Sequence, residues 1–361
     1  MSVASGERTR RSRGLLGRRG ALAALALGAA GGAAWVAEHR TVRRALAGAD
    51  NLAEEGLVLP SDLTHHFVDV PDGGRLHVME RGEGPPLVLV HGLMLSSALW
   101  VHQLRDLADR HRVVTVDLSG HGQSILGQHR YADSGENDAH ARGNAVSPAV
   151  HRMAVDLWAV LEALDLQGAL LVGHSAGGMV VVQLALDVDR AALSRRVAGL
   201  VLVSTSAGPT PNVPGFSALA GIGARVSSRA VLSAERRGVR SLPSEDLRWW
   251  VSRMGFGADA APAQVQFVEG MHRAASSRSF AELLPSLTQF DVWARLREID
   301  LPTLVVVGTH DRLLGPRHAR RLASGLPRAE LIELPRCGHQ PMLERRNEFS
   351  RLLDEFAAKV G

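Results

Sequence analysis

The sequence predicts an α/β protein: a mostly parallel sheet of about eight strands, covered by helices on both faces and interrupted by a helical insertion. Three observations predict it. Short Leu- and Val-rich runs without polar alternation recur between residues 66 and 334, as in strands buried on both faces. Longer helical patterns separate them, which joins successive parallel strands by right-handed crossovers. The series opens on two strand-like runs around Pro71-Asp72-Gly73-Gly74, a turn signal that makes the first pair an antiparallel hairpin.

In order, the hairpin runs are Phe67–Val70 and Arg75–Glu80. The buried runs that follow are Leu87–His91, Val113–Leu118, Leu170–Gly173, Gly199–Ser204, Thr303–Gly308 and Glu330–Leu334. Helical patterns occupy 96–110, 148–166, 176–188, 317–325 and 342–358. Two stretches break the alternation. Residues 125–147 form a polar loop rich in Gly, Asn, Asp and His. Residues 209–290 hold no comparable strand run, only helical patterns broken by Pro, Gly and Ser, and have the size of a lid over the sheet's C-terminal edge. The expected division is therefore an N-terminal segment and linker (1–60), a first core part (61–208), a helical lid (209–290) and a second core part (291–361).

The 361 residues are 45% hydrophobic and 22% charged, a globular composition. An isoelectric point of about 10.3 invites a nucleic-acid reading. The charge argues otherwise. Residues 1–37 carry six arginines against Glu7, a net of +5, while the whole chain nets +4, so the body is near neutral. With only 4% aromatic residues there is no large stacking surface for single strands either, and no nucleic-acid partner is expected. The single cysteine, Cys337, excludes an intrachain disulfide and a multi-cysteine metal site.

Arg8 to Arg19 precede an uncharged Ala, Leu and Gly run over residues 21–37. A basic stretch followed by an apolar one has the order of a signal peptide or signal anchor. The expectation is membrane association through residues 21–37, or export; a surface helix of a cytoplasmic protein is the alternative.

Leu171-Val172-Gly173-His174-Ser175-Ala176-Gly177-Gly178 runs from a strand through G-x-S-x-G into a helix. That setting holds a serine on a strained turn with its Oγ projecting, and the flanking glycines avoid clashes with neighbouring elements. The same five-residue pattern also occurs at purely structural turns, so its partners matter. A serine hydroxyl needs an adjacent base. His339 stands in Arg336-Cys337-Gly338-His339-Gln340-Pro341, after the last expected strand, with Pro341 suited to the first turn of the closing helix. The orienting acid should follow a strand between the two, and Asp311 does, in Gly308-Thr309-His310-Asp311. The rival position reads Thr205-Ser206-Ala207-Gly208 and offers no carboxylate; Asp291 is a distant second candidate. Two backbone N–H groups should bind the oxyanion: Ala176, after the nucleophile, and Leu93, in His91-Gly92-Leu93-Met94. Asp117-Leu118-Ser119-Gly120-His121-Gly122-Gln123-Ser124 reads as a structural turn, with Asp117 and His121 outside the chemistry.

Together these pieces resemble the α/β-hydrolase superfamily over residues 66–358, and look most like its serine esterase and lipase-like branch with a helical cap. The resemblance implies acyl transfer to water through an acyl-enzyme, with no metal and no organic cofactor. Haloalkane dehalogenases and epoxide hydrolases of this superfamily carry aspartate at the nucleophile position, and Ser175 argues against both. The N-terminal arm and loop 125–147 depart from the pattern; His129 and His140 in that loop read as exposed polar residues, not ligands.

Trp249, Trp250, Met254, Phe256, Phe267 and Met271 lie in the expected lid. Most such residues pack against their own domain, and some should line an apolar pocket. The expected partner is a small, hydrophobic, uncharged ester. A thioesterase, amidase, carbon–carbon bond hydrolase or cofactor-free perhydrolase could use the same triad, and a ligand receptor could use the same scaffold.

Overall fold

A computed structural model describes residues 52–127, 147–209 and 245–361. They form one eight-stranded sheet in the order β1-β2-β4-β3-β5-β6-β7-β8. The strands are β1 Thr64–Asp69, β2 Arg75–Arg81, β3 Pro86–Val90, β4 Arg112–Val116, β5 Ala169–His174, β6 Val197–Val203, β7 Thr303–Gly308 and β8 Ala329–Leu334. The hairpin pairs antiparallel with Phe67 opposite His77, and β2 also runs antiparallel to β4. Every later pairing is parallel.

The helices are α1 Val101–Asp106, α2 Pro148–Ala163, α3 Ala176–Asp187, α4 Arg190–Arg196, α5 Glu245–Met254, α6 Pro262–Ala274, α7 Ser277–Gln289, α8 Pro316–Gly325, α9 Pro341–Glu344 and α10 Arg346–Val360. β3 and β5 are buried along almost their whole length, consistent with apolar runs that do not alternate. The edge strand β1 alternates exposed and less exposed positions. A continuous core joins Val88, Val90, Leu171, Val180, Leu200 and Val305 across the central strands and α3.

Two elements escaped the sequence pattern: α4, capped by Asp189 through the Ala191 and Ala192 amides, and a 3-10 turn over Trp293–Glu298. The single closing helix expected over 342–358 is two pieces. The break falls at Arg345 (φ −128, ψ 41), next to Glu344, whose carboxylate folds back onto the loop before α9.

Between β6 and β7 the described residues include the helices α5, α6 and α7. Their contacts fall at the C-terminal ends of the parallel strands. Val292 N donates to Ala207 O after β6, Ser279 approaches Gly120 after β4, and residues 255–257 lie against Gly338 after β8. Residues 210–244 of the expected lid, most of the loop at 125–147, including His129 and His140, and the apolar run 21–37 lie outside the described residues. Among the described residues no helix is long and apolar enough to cross a membrane.

Candidate active site

β5 ends at His174, and Ser175 follows with φ 52 and ψ −118 before α3 begins at Ala176. A non-glycine residue at positive φ is strained, so the turn persists only because its surroundings hold it. They do so through the Ser175 backbone. Its N–H donates to Val203 O at 2.9 Å, and its carbonyl accepts from Gly178 N at 3.0 Å and from Thr205 Oγ1 at 2.6 Å. The glycines of the motif are demanded by close approach. A Cβ on Gly173 would lie 2.6 Å from Gly178 Cα, and one on Gly177 would collide with the carbonyls of Val90 and His91.

Asp311 lies three residues beyond β7 and His339 five beyond β8, on neighbouring strands. The structure brings them together: His339 Nδ1 donates to Asp311 Oδ2 at 2.8 Å, with both side chains buried. The other carboxylate oxygen, Oδ1, accepts from Leu313 N and Leu314 N at 2.8 and 2.9 Å. Burial alone would raise the Asp311 pKa. The adjacent His339 and the two backbone donors outweigh it and hold the carboxyl below its ordinary value.

His339 is tied to the serine turn as well. Its carbonyl accepts from His174 Nε2 at 2.9 Å, and the two imidazole rings lie 4.8 Å apart. Ser175, Asp311 and His339 thus follow the C-terminal ends of β5, β7 and β8, with β6 between the first two strands.

Ala176 follows Ser175 directly, and the loop that carries Leu93 comes close to Ser175 at Gly92. Ala176 is the first residue of α3, where an amide has no intrahelical acceptor. Gly92 sits close enough that a Cβ on it would lie 3.0 Å from Ser175 Cβ. The Leu93 amide is aimed indirectly. Leu118 N donates to His91 Nε2 at 3.1 Å, so the ring proton is on Nδ1, which donates to Gly92 O at 2.7 Å. In a trans peptide the Gly92 carbonyl and the Leu93 N–H point opposite ways, so fixing one fixes the other. Burial keeps the His91 pKa below its ordinary value, against the pull of Asp117, and so preserves that tautomer.

Asp117 is structural, as expected: it accepts from Ser97 N, Gln123 N and His77 Nδ1. His121 is buried against His91, which it meets ring to ring at 5.3 Å. Asp291 is exposed and accepts from Trp293 N, with no part in the cluster. Among the described residues no group of three or more His, Cys, Asp or Glu side chains could hold a metal.

Of the insert residues singled out in the sequence, Trp249, Phe256 and Met271 are buried, while Met254 is 47% exposed. Trp249 and Trp250 meet edge to face. Three contributors escaped the sequence reading. His174 carried no signal beyond its place in the motif. Thr205 was noticed only for not being a carboxylate. Glu344 sat inside a helical pattern.

The sequence pattern of the alpha/beta hydrolase fold matches residues 85–345. The chain is 30% identical over 291 residues to the pimeloyl-[acyl-carrier protein] methyl ester esterase of Vibrio vulnificus, covering 79% of this chain and 98% of that protein. It is 29% identical over 315 residues to polyketide synthase ThaQ of Burkholderia thailandensis; that match takes in 83% of this chain and spans only 13% of the synthase. A thermophilic esterase from Thermogutta terrifontis has the same fold, with a TM-score of 0.66 at 24% identity over 82% of this chain and 99% of that one. With its sheet order, serine turn and matched sequence in agreement, the chain belongs to the α/β-hydrolase family of enzymes.

Proposed function

We propose that this enzyme hydrolyses a carboxylic ester of a small, fairly hydrophobic and uncharged substrate through an acyl-enzyme. The observation that carries the reading is the buried 2.8 Å Asp311–His339 pair, joined through His174 to the strained turn that presents Ser175. Ser175 Oγ attacks the ester carbonyl while His339 Nε2 takes its proton. Asp311 holds the proton on Nδ1 and balances the imidazolium. The tetrahedral oxyanion is bound by the Leu93 and Ala176 amides. On collapse the carbon–oxygen bond to the leaving alcohol breaks, and that alcohol departs with the proton from His339. Water, deprotonated by His339, then cleaves the acyl-enzyme to the acid and restores Ser175.

Residues 209–290 act as a lid, and their aromatic and Met residues favour an apolar acyl group. A relative whose name specifies an acyl-carrier methyl ester supports an ester bond. From the basic and then apolar order of residues 8–37 we infer a membrane-anchored or exported enzyme; recovery of the full-length chain in the cytosolic fraction, with none in the membrane or exported fractions, would return it to the cytoplasm.

A fluorophosphonate probe should label the protein, and Ser175→Ala should abolish labelling. Labelling that survives this substitution removes Ser175 from its role. An acyl-length series of p-nitrophenyl esters and matching thioesters then identifies the bond. Faster thioester turnover would make the enzyme a thioesterase, and no turnover of a labelled protein would favour a carbon–carbon bond substrate or a receptor.

A further inference from the structure

The loop that carries His339 is fastened to the insert between β6 and β7. His339 N donates to Gly255 O at 2.8 Å, immediately after α5. Glu344, half-buried at the end of α9, turns its carboxylate back under the same loop. Oε1 accepts from Gly338 N at 3.0 Å and Gln340 N at 3.2 Å, the amides on either side of His339. Oε2 accepts from Gly257 N at 2.7 Å, across 87 residues of sequence, and also lies 3.0 Å from Gly338 N. Gly338 and the insert touch backbone to backbone: a Cβ on Gly338 would lie 2.7 Å from Phe256 Cα. At the rim, Arg336 pairs through two nitrogens with Asp259, at 2.8 and 2.6 Å.

We propose that Glu344 is a positioning residue that makes the His339 loop and insert residues 255–259 a single unit, so that the seating of the insert sets the reach of the base. The proposal rests on the serine-hydrolase reading above. An ionised carboxylate only accepts, and its two oxygens can take all of the amides aimed at it. Burial raises the Glu344 pKa, while the Gly338, Gly257 and Gln340 amides oppose that rise by favouring the charged form. A carboxamide of the same size would turn two donors toward amides that themselves donate. The consequence reaches the chemistry because, on that reading, the same short loop carries the base that serves Ser175, and a displacement of about 1 Å in a reacting group can cost about 100-fold in rate.

The test compares wild type, Glu344→Gln and Gly257→Ala, whose added Cβ would collide with Arg336 O. Each is measured for kcat, KM, rate of fluorophosphonate labelling and denaturant midpoint. The low-field proton resonance of the His339–Asp311 hydrogen bond is followed by NMR. In Glu344→Gln the proposal expects kcat and labelling rate to fall about tenfold or more, KM to stay within about twofold, and the resonance to broaden. The double variant should be no slower than the slower single, because both changes break one unit. A Glu344→Gln protein with a lower midpoint but wild-type kcat, labelling and resonance would overturn the proposal, as would losses that multiply in the double variant. Should Glu344→Gln fail to fold, Glu344→Asp decides by the same readings, since it keeps the charge but cannot span Gly257 and Gly338. If wild type itself is not labelled, the serine-hydrolase reading fails, and this proposal falls with it.

Discussion

His174 Nε2 donates to the backbone carbonyl of His339 at 2.9 Å, linking the residue before Ser175 to the residue that would take its proton. The bond crosses 165 residues of sequence and is fully buried at the His174 end. Burial, reinforced by the neighbouring His339, holds the His174 pKa well below its ordinary value, so the ring is neutral with its proton on Nε2.

His174→Leu should therefore lower kcat by about tenfold to 100-fold, with KM little changed, because the base shifts while the pocket does not. His174→Gln should recover much of that loss, since its amide nitrogen reaches roughly where Nε2 stood. Steady-state kinetics on both variants checks the pair. Equal losses in the two would mean that ring packing, and not the hydrogen bond, is what His174 supplies.

Thr205 makes a different prediction. Its Oγ1 donates to Ser175 O at 2.6 Å, but that carbonyl also accepts from Gly178 N. Thr205→Val keeps the shape that packs over Gly178 and removes one of several bonds. Stability should fall by about 1 kcal/mol, read as a lower denaturant midpoint, and kcat should stay within about threefold. A much larger kcat loss would show that this hydroxyl, and not the backbone, keeps Ser175 at positive φ.

How much of this was legible in the sequence follows from where the partners lie. The serine turn could be read because Gly173, Ser175 and Gly177 meet one steric requirement within five consecutive residues. Asp311 could be placed because it follows Thr303–Gly308, an apolar run that reads as a buried strand, and because Thr205 to Gly208 hold no carboxylate. His339 could be placed because it falls between the last expected strand and Pro341 of the closing helix, although that strand carries Glu330 and Glu333 and, at the sheet edge, is only partly buried. His174 and Glu344 could not be read, since the partners that matter are backbone atoms, which leave no side-chain signature, and the His339 carbonyl and the Gly257 amide are also remote in sequence. The break at Arg345 was hidden for another reason: the apolar periodicity of Met342, Phe349, Leu353 and Phe356 runs straight through it.

Asp117 predicts how the fold responds to acid. Burial would raise its pKa, but the His77 hydrogen bond, the nearby His91 and the Gln123 and Ser97 amides lower it from 3.8 to about 2. A depressed carboxyl stabilises the fold above its unfolded pKa, and that contribution is lost as pH falls from about 4 toward 2. A shift of this size corresponds to about 2 kcal/mol. Asp117→Asn should therefore be destabilised at pH 7, and its difference from wild type should shrink below pH 4. Urea unfolding of both proteins across that range measures it; a constant difference would assign the effect to geometry alone.

Asp156 should show the opposite sign. It lies buried on α2, accepts from Ser119 Oγ at 2.7 Å, and stands near Asp72, whose own carboxylate is 3.4 Å from Arg152. Burial first, and the charge of Asp72 with it, raise its pKa from 3.8 to about 6, against the pull of Ser119 and Arg152. A raised carboxyl favours the folded state most when protonated, so its contribution is complete below pH 4 and is lost as pH rises through about 6. Asp156→Asn keeps an oxygen for Ser119 and removes the charge. It should be more stable than wild type at pH 8, by up to about 3 kcal/mol, and gain nothing at pH 4. Thermal unfolding at the two pH values decides the matter. A variant less stable than wild type at pH 8 would mean that the ionised carboxylate is wanted where it stands, held by Arg152 more firmly than burial opposes it.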